Sequence, residues 1–249
     1  MLVPLCLPAA MSTETSQTIL NRYNWADIAA DLNARGWALL PELFAEHDCR
    51  AIRSLYDEGD EHFRSRVIMQ RHGFGRGEYK YFSYPLPDDL SGLRATLYAR
   101  LAPIANAWAG RLGHNWTYPA IHQDYLKICY EAGQTRPTPL LLKYEAGDYN
   151  CLHQDLYGAL NFPLQMAVLL SRPGEEFQGG GLILTEQRPR MQSRPHLIPL
   201  KQGDAVIFAV NERPVEGSRG DYRVKLRHGV SEVWAGVRHT LGLIFHDAS

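Results

Sequence analysis

Apolar residues in the first half of the chain recur at helical spacing. Asn24 is a favourable N-cap for an amphipathic stretch that Gly36 ends, and Trp37–Leu40 then has the pattern of a short strand. Helical spacing returns in three later stretches, at residues 46–58, 90–112 and 118–132. These patterns predict that residues 19–139 are mainly helical.

The second half of the chain consists of short apolar runs of strand length. The runs cover residues 140–144, 165–170, 181–184, 205–210 and 241–245. Gly and Pro separate them and no helical pattern lies between them, which favours an antiparallel sandwich or barrel. We therefore predict an α+β protein in which residues 19–249 form one domain and residues 140–249 form its β core.

Composition narrows the classes of function. The chain has 26 Lys and Arg against 27 Asp and Glu, a formal net charge of -1 that marks neither a nucleic-acid binder nor a membrane-surface protein. Cys6, Cys49, Cys129 and Cys151 lack CxxC spacing, which argues against a structural zinc site and a disulfide framework and favours a cytoplasmic location.

The first residues of the chain are apolar, but they lack the basic start of a signal peptide and are too short to cross a membrane. We expect residues 1–18 to be a disordered tail, with Met11 as an alternative first residue, and we expect no membrane partner.

The candidate metal ligands are His153 and Asp155, separated by one residue, and the distant His228. In an extended segment residues i and i+2 point to the same side, so both members of an HxD motif can reach one ion. Two histidines and one carboxylate leave three positions of an octahedral ion open, which is the arrangement of non-haem Fe(II) oxygenases.

The chain has two His-Gln-Asp triplets, of which the second is His153-Gln154-Asp155 and the first, His122-Gln123-Asp124, lies in a stretch with helical spacing. On a helix, residues i and i+2 are about 200° apart, so these two side chains cannot bind the same ion. We predict that this triplet lies on a helix surface. His246 and Asp247 form another acid and histidine pair, without a third ligand in the sequence pattern.

The segment 140–247 resembles the double-stranded β-helix core of the 2-oxoglutarate/Fe(II) dioxygenases. That superfamily has an HxD motif, a distal His that opens an HGV-like turn, and then an Arg followed two positions on by a polar residue. His153, Asp155, His228, Arg238 and Thr240 match this pattern one by one. The resemblance implies a jelly-roll core with N-terminal helices packed against it, Fe(II) as the metal, and 2-oxoglutarate and O2 as cosubstrates.

Arg238 is the candidate partner of the cosubstrate. A dicarboxylate that chelates iron through its keto-acid end has a far carboxylate, which the fork of an arginine binds bidentately. Thr240, two residues on in a strand, can share that carboxylate, and the phenol of Tyr144 is a candidate third donor. The neighbours Arg227 and His239 are expected to point away from the site because side chains alternate along a strand.

The order from Tyr144 through the HQD at 153–155 is similar to the AlkB type of nucleic-acid demethylase, which oxidises an N-methyl group on a base. Three positions depart from that type: Leu142 stands where it has Asn, Tyr157 where it has an acid, and Ile244 where it has a second Arg. The chain is therefore closer in type to an uncharacterised bacterial family that is predicted to oxidise damaged nucleic acid, which would connect it with DNA repair.

Residues 62–84 are the candidate nucleic-acid contact. They contain five basic residues against one acid, with six Phe and Tyr residues between them. Basic groups for phosphates and aromatic faces for unstacked bases are the ingredients of single-strand or flipped-base recognition. The predicted substrate-binding residues are Arg71, Arg76, Tyr79, Tyr81 and Tyr157.

Two other functions fit the same motifs. The chain could hydroxylate a prolyl or other amino-acid side chain or a small metabolite, because the HGV and RxT signatures are also typical of such enzymes. It could also be a non-catalytic sensor that binds iron or 2-oxoglutarate. Residues 62–84 could also have a purely structural role, in which their aromatic residues belong to the core and their charges pair within the molecule.

Overall fold

The helices lie near the places where capping residues and apolar spacing predict them. The computed structural model describes residues 15–249, in which five α-helices form: α1 Ser16–Asn21, α2 Trp25–Arg35, α3 Glu46–Ser54, α4 Asp88–Arg111 and α5 His122–Glu131. A short 3-10 helix covers Met69–His72. The side chain of Asn24 accepts a hydrogen bond from the Ala26 amide at the start of α2, and Gly36 ends the helix with a positive φ of 78°.

Two predicted boundaries differ from the structure. Residues 16–18 belong to α1 rather than to the predicted tail, and residues 1–14 of that tail lie outside the described residues. Helix α5 begins at His122, because residues 118–121 run in an irregular path before it. Within the described residues, no helix is long and apolar enough to cross a membrane.

Fifteen strands are described, and the first seven span both halves of the chain. They are β1 Trp37–Leu40, β2 Phe63–Ile68, β3 Gly75–Arg76, β4 Glu78–Phe82, β5 Leu140–Tyr144, β6 Tyr149–His153 and β7 Leu164–Leu169. The others are β8 Phe177–Gly179, β9 Leu182–Gln187, β10 Arg194–Ile198, β11 Ala205–Ala209, β12 Glu212–Gly217, β13 Gly220–Val230, β14 Val233–Gly236 and β15 Arg238–Ile244.

The strands form two large antiparallel sheets and one small pair. The major sheet has the order β1-β11-β7-β15-β5-β4-β2, and the minor sheet has the order β10-β9-β13-β6-β3, with β12 beside β13. Strands β14 and β8 form the small pair. This is the predicted double-stranded β-helix, and the α+β fold class is confirmed.

The first half of the chain is less helical than its spacing predicts. Strands β1 to β4 lie in it, and β1, β2 and β4 extend the major sheet. Strand β4 is held by β5, where Tyr81 pairs with Leu140 and Tyr79 with Leu142. These hydrogen bonds join residues far apart in sequence, so local spacing could not reveal them.

Apolar side chains fill both the space between the sheets and the outer face of the major sheet. All seven residues of β15 are buried, because one face meets the minor sheet across the cavity and the other packs against the helices. Leu97 and Leu101 of α4 share one core cluster with Leu241 and Leu243 of β15. The N-terminal helices are therefore packed against the β core, as predicted.

Candidate metal and cosubstrate site

The two candidate histidine ligands face each other across neighbouring strands. His153 is the last residue of β6, and its Cα partner on β13 is His228. Gly229 permits this close approach, because a Cβ atom there would lie 2.7 Å from the carbonyl oxygen of Asn150 on β6. The chain leaves the strand after His153, and Asp155 then turns into the same space.

The three side chains converge as a metal-binding group. Their candidate ligand atoms all lie within 4.8 Å of one another. His153 Nε2 is 3.4 Å from Asp155 Oδ1, and His228 Nε2 is 3.2 Å from Asp155 Oδ2. Nδ1 of His153 lies 2.8 Å from the carbonyl oxygen of Cys151, which can only accept, so Nδ1 donates and Nε2 keeps its lone pair for a metal.

Electrostatics favour the protonation states that a metal requires at two of the three residues, Asp155 and His228. Burial by itself would raise the pKa of Asp155, but His228 and His153 hold that pKa well below its usual range. Burial and the neighbouring His153 lower the pKa of His228. An ionised carboxylate and a neutral imidazole are the forms that bind a divalent ion.

Hydrogen bonds around the triad hold it in place. The phenol of Tyr157 donates to Asp155 Oδ1 at 2.6 Å. The amide of Gln154 points the other way and donates to Asn211 Oδ1 at 2.6 Å and to the Leu226 carbonyl at 2.7 Å. Gln154 thereby ties the segment between the two ligands to β13, which carries the third ligand.

A cavity of about 190 Å³ lies between the sheets beside the triad. Alternate residues of β15 line it, namely Arg238, Thr240, Gly242 and Ile244. The neighbours do not: Arg227 is exposed on the other face of β13, and the His239 ring packs 6.0 Å from that of Tyr56.

Arg238 is a buried cation without an acidic partner. Its side chain donates to Thr240 Oγ1 at 2.5 Å, and its Nε has no hydrogen-bond partner among residues 15–249. No described carboxylate pairs with it, and burial lowers its pKa to about 10. Its guanidinium carbon is 5.6 Å from the centre of the Tyr144 ring, so the three predicted cosubstrate residues lie together. A buried, unpaired guanidinium facing a cavity fits a carboxylate ligand.

The predicted substrate residues divide into two groups. Tyr79 and Tyr157 line the cavity, and Tyr81 packs between them with ring centres 5.2 Å from Tyr79 and 6.2 Å from Tyr157. Arg71, in a short 3-10 helix, and Arg76, in β3, are instead exposed in the segment between β2 and β4. No acid among the described residues pairs with Arg71, and Arg76 lies 3.8 Å from Asp148.

The other basic residues of the 62–84 segment are engaged within the protein. Arg66 pairs with Glu78, and the buried Lys80 is 2.7 Å from Asp60. Arg64 stacks 4.3 Å from the centre of the Tyr81 ring and donates to the Pro137 carbonyl. The alternative that the charges of residues 62–84 have partners within the molecule is therefore correct for three of the five basic residues.

The other histidine and acid pairs have structural roles. The prediction that the first triplet lies on the surface is wrong for His122, which is buried with Nε2 2.8 Å from the carbonyl oxygen of Phe245. Asp124 is exposed, so the two side chains do diverge as helical geometry requires. Asp247 forms a buried ion pair with Arg94 at 2.9 Å, and His246 is buried beside it.

The sequence patterns did not single out Asn150, Gln165 or Asn211, which also surround the site. Asn150 donates to the Tyr144 phenol at 3.3 Å, and Gln165 lies 3.2 Å from His228 Nε2. Asn150 and Gln165 lie on separate strands and Asn211 lies in the turn between β11 and β12, without motif spacing, so no local signal could have found them.

Comparisons with known proteins agree with this geometry. Residues 77–248 match the Oxygenase-NA family, described as "Oxygenase, catalysing oxidative methylation of damaged DNA". An uncharacterised protein of Mycobacterium tuberculosis strain H37Rv is 46% identical over 168 residues, which are 68% of this chain and 72% of that protein.

Solved structures share the fold at low sequence identity. A Pseudomonas putida prolyl-4-hydroxylase superposes with a TM-score of 0.53 at 12% identity, over 91% of this chain and 100% of that one. A Trichoplax adhaerens prolyl hydroxylase in complex with a peptide fragment gives 0.55 at 16% identity, over 94% and 93%. A Burkholderia pseudomallei 2OG-Fe(II) family oxidoreductase gives 0.53 at 16% identity, over 92% and 94%. The chain thus belongs to the Oxygenase-NA family of oxygenases and has the fold of the 2OG-Fe(II) oxygenases.

Proposed function

We propose that this enzyme removes N-methyl groups from alkylated bases in nucleic acid. The observation that carries the proposal is Phe74, which lines the cavity of the metal site and is also 46% exposed, on a turn flanked by the exposed Arg71 and Arg76. The turn thus offers an aromatic face at the cavity and positive charge around it, which suits a base and its phosphates. The family description, which names damaged DNA, points the same way.

In this proposal His153, Asp155 and His228 hold Fe(II), and Arg238 with Thr240 holds the far carboxylate of 2-oxoglutarate. Bound together, the metal, 2-oxoglutarate and O2 supply the oxidant for a C–H bond, and succinate and CO2 are released. Insertion of one oxygen atom converts N–CH3 to N–CH2OH. Cleavage of the C–N bond then leaves N–H on the base and releases formaldehyde, which balances the reaction.

The protein's own contribution is to position the base and to exclude water. One part of the cavity wall is apolar and aromatic, formed by Leu140, Leu142, Ile244 and Tyr79. A flat methylated base gains from stacking on that part of the wall, which carries no charged group. No general base is assigned, because hydrogen is removed from carbon by the oxidant.

The test is 2-oxoglutarate turnover with single-stranded oligonucleotides that carry an N-methylated base. We expect succinate and formaldehyde in equal amounts, and neither product above background with the same oligonucleotide lacking the methyl group. Proline-containing peptides and free amino acids are assayed in parallel. Turnover of one of those, without turnover of any methylated oligonucleotide, would replace demethylation by the hydroxylase alternative.

The exposed arginines supply a second test of the same proposal. Neutralising Arg71 and Arg76 together should weaken oligonucleotide binding and reduce the slope of log K against log salt by about 1 for each lost phosphate contact. Binding is measured by fluorescence anisotropy at several salt concentrations. The matched control is Arg50→Ala, which removes an exposed arginine from α3. An unchanged salt slope in the double variant would remove the electrostatic support.

A further inference from the structure

Gln165 on β7 is a buried amide whose bonding capacity is not used. Its side chain lines the metal-site cavity and the residue is 3% exposed. Its Oε1 has no hydrogen-bond partner among residues 15–249. A buried amide with one unpaired end is costly, and with the amide turned round that end is an N–H donor, so its position at a cavity indicates that an acceptor ligand completes its hydrogen bonds.

The one polar contact of Gln165 cannot persist in the metal-bound enzyme. Its Nε2 lies 3.2 Å from His228 Nε2, the nitrogen that faces Asp155. An amide N–H needs the lone pair of that nitrogen, and so does a metal ion. With the amide turned round, Oε1 would need a proton on His228 Nε2, which a metal equally displaces. In either orientation, metal binding frees the Gln165 amide inside the cavity.

The distance between the Arg238 guanidinium and the Gln165 amide suits the two ends of a short dicarboxylic acid. Gln165 is the Cα partner of Ile244 on β15, and the Arg238 guanidinium reaches the level of Thr240 on the same strand. Thr240 and Ile244 are four residues apart, which is about 13 Å along a strand. A five-carbon diacid with a hydrogen bond at each end spans about 11 Å.

We propose that Gln165 binds the α-keto-acid end of 2-oxoglutarate, donating a hydrogen bond from its amide while Arg238 holds the opposite carboxylate. The proposal rests on the proposed role of Arg238, but not on the identity of the primary substrate. The proposal also fits the position of Ile244, the Cα partner of Gln165. Ile244 is apolar where the AlkB type has a second Arg, and Gln165 supplies a polar group beside it. Gln165 is therefore a second anchor that fixes the direction of the cosubstrate.

The test is an anaerobic titration of the Fe(II)-loaded full chain with 2-oxoglutarate, followed by the visible absorption of the Fe(II) chelate. Gln165→Leu should bind 2-oxoglutarate about tenfold more weakly, the usual effect of losing one hydrogen bond to a charged group, and should shift the absorption band. Fe(II) affinity, measured separately, should stay within about twofold, because the metal ligands are unchanged. The matched control is Gln123→Leu, which alters an exposed glutamine of the other triplet.

Gln165→Met, which matches the length of glutamine, repeats the test if the leucine variant folds poorly. Unchanged 2-oxoglutarate affinity and an unchanged band in a variant that still binds Fe(II) would overturn the proposal. So would an effect confined to the KM of the primary substrate, which would make Gln165 a substrate contact. Arg238→Met in the same titration tests the cosubstrate site separately from the role of Gln165. Normal 2-oxoglutarate binding in the Arg238 variant would refute the cosubstrate site itself.

Discussion

The two His-Gln-Asp triplets of this chain have identical side chains and opposite structures. His122 opens α5, and its ring is buried against the Phe245 carbonyl while Asp124 faces solvent. His153 ends β6, and its ring meets a buried Asp155. The backbone makes the difference, since a helix separates the two side chains and an extended exit from a strand brings them together.

The surroundings then give the two histidines opposite ionisation behaviour. Burial, together with the nearby Arg94, lowers the pKa of His122 to about 3, so this ring stays neutral and acts as a packing group. Burial also opposes the charged form of His153, but its hydrogen bond to Asp155 raises its pKa. A histidine with an ionised carboxylate beside it is prepared for a cation, whereas one that meets only a carbonyl is not.

The largest expected difference between the triplets is in metal binding. Asp155→Ala should lower Fe(II) affinity by more than about 100-fold and abolish turnover, because it removes a direct ligand. Asp124→Ala should leave both unchanged, since that carboxylate is exposed on α5. Isothermal titration with Fe(II) or Mn(II) measures the affinity. Equal losses in the two variants would mean that the second triplet is not the metal site.

Tyr157 offers a smaller change to the same triplet. Tyr157→Phe removes the 2.6 Å hydrogen bond to Asp155 and should weaken metal binding by about tenfold, the usual effect of losing a group that orients a ligand. Tyr130→Phe is the control, because Tyr130 is exposed on α5 and away from the metal site. Equal losses of metal affinity in the two variants would contradict this assignment.

Replacing the central glutamine of each triplet should change the free energy of unfolding by different amounts. Gln154→Ala should lower the free energy of unfolding by about 2 kcal/mol, because it removes two hydrogen bonds that tie the ligand segment to β13 and Asn211. Gln123→Ala should change it by less than about 0.5 kcal/mol, as expected at an exposed site. Urea denaturation of the metal-free proteins gives both values. Equal effects would mean that the two Gln154 hydrogen bonds do not stabilise the ligand segment.

A further expected difference is a pH dependence of stability that belongs to the first triplet. Because the folded-state pKa of His122 is about 3, the unfolded chain binds a proton that the folded chain does not between about pH 6.5 and pH 3. Stability should therefore fall as the pH decreases through that window. His122→Phe should reduce this slope by at most about 1.4 kcal/mol per pH unit.

The slope is measured by urea unfolding at several pH values, with Gln123→Ala as the control that keeps it. Some slope should remain in the His122 variant, because burial also lowers the pKa values of His239 and His246 to about 4. An unchanged slope would mean that His122 titrates alike in the folded and unfolded chains.

The β core and its motif residues could be predicted because they depend on local patterns. Alternation along β15 predicted that Arg238 and Thr240 share one face, and both line the cavity. The pairing of β4 with β5 escaped prediction, because its hydrogen bonds join residues about sixty positions apart. The sequence left open whether the basic residues at 62–84 face a ligand or pair within the molecule, and three of them have acidic or aromatic partners within the fold.

By itself, the sequence determined which side chains could bind a metal and a dicarboxylate, because spacing on a strand decides which residues share a face. It also determined that the first triplet could not chelate one ion, since helical geometry separates its members. Only the tertiary structure decided that His122 is buried, that Arg238 has no acid beside it, and that Gln165 meets His228. Those facts depend on contacts between distant elements, and the periodicity of one segment carries no information about its neighbour across the sheet.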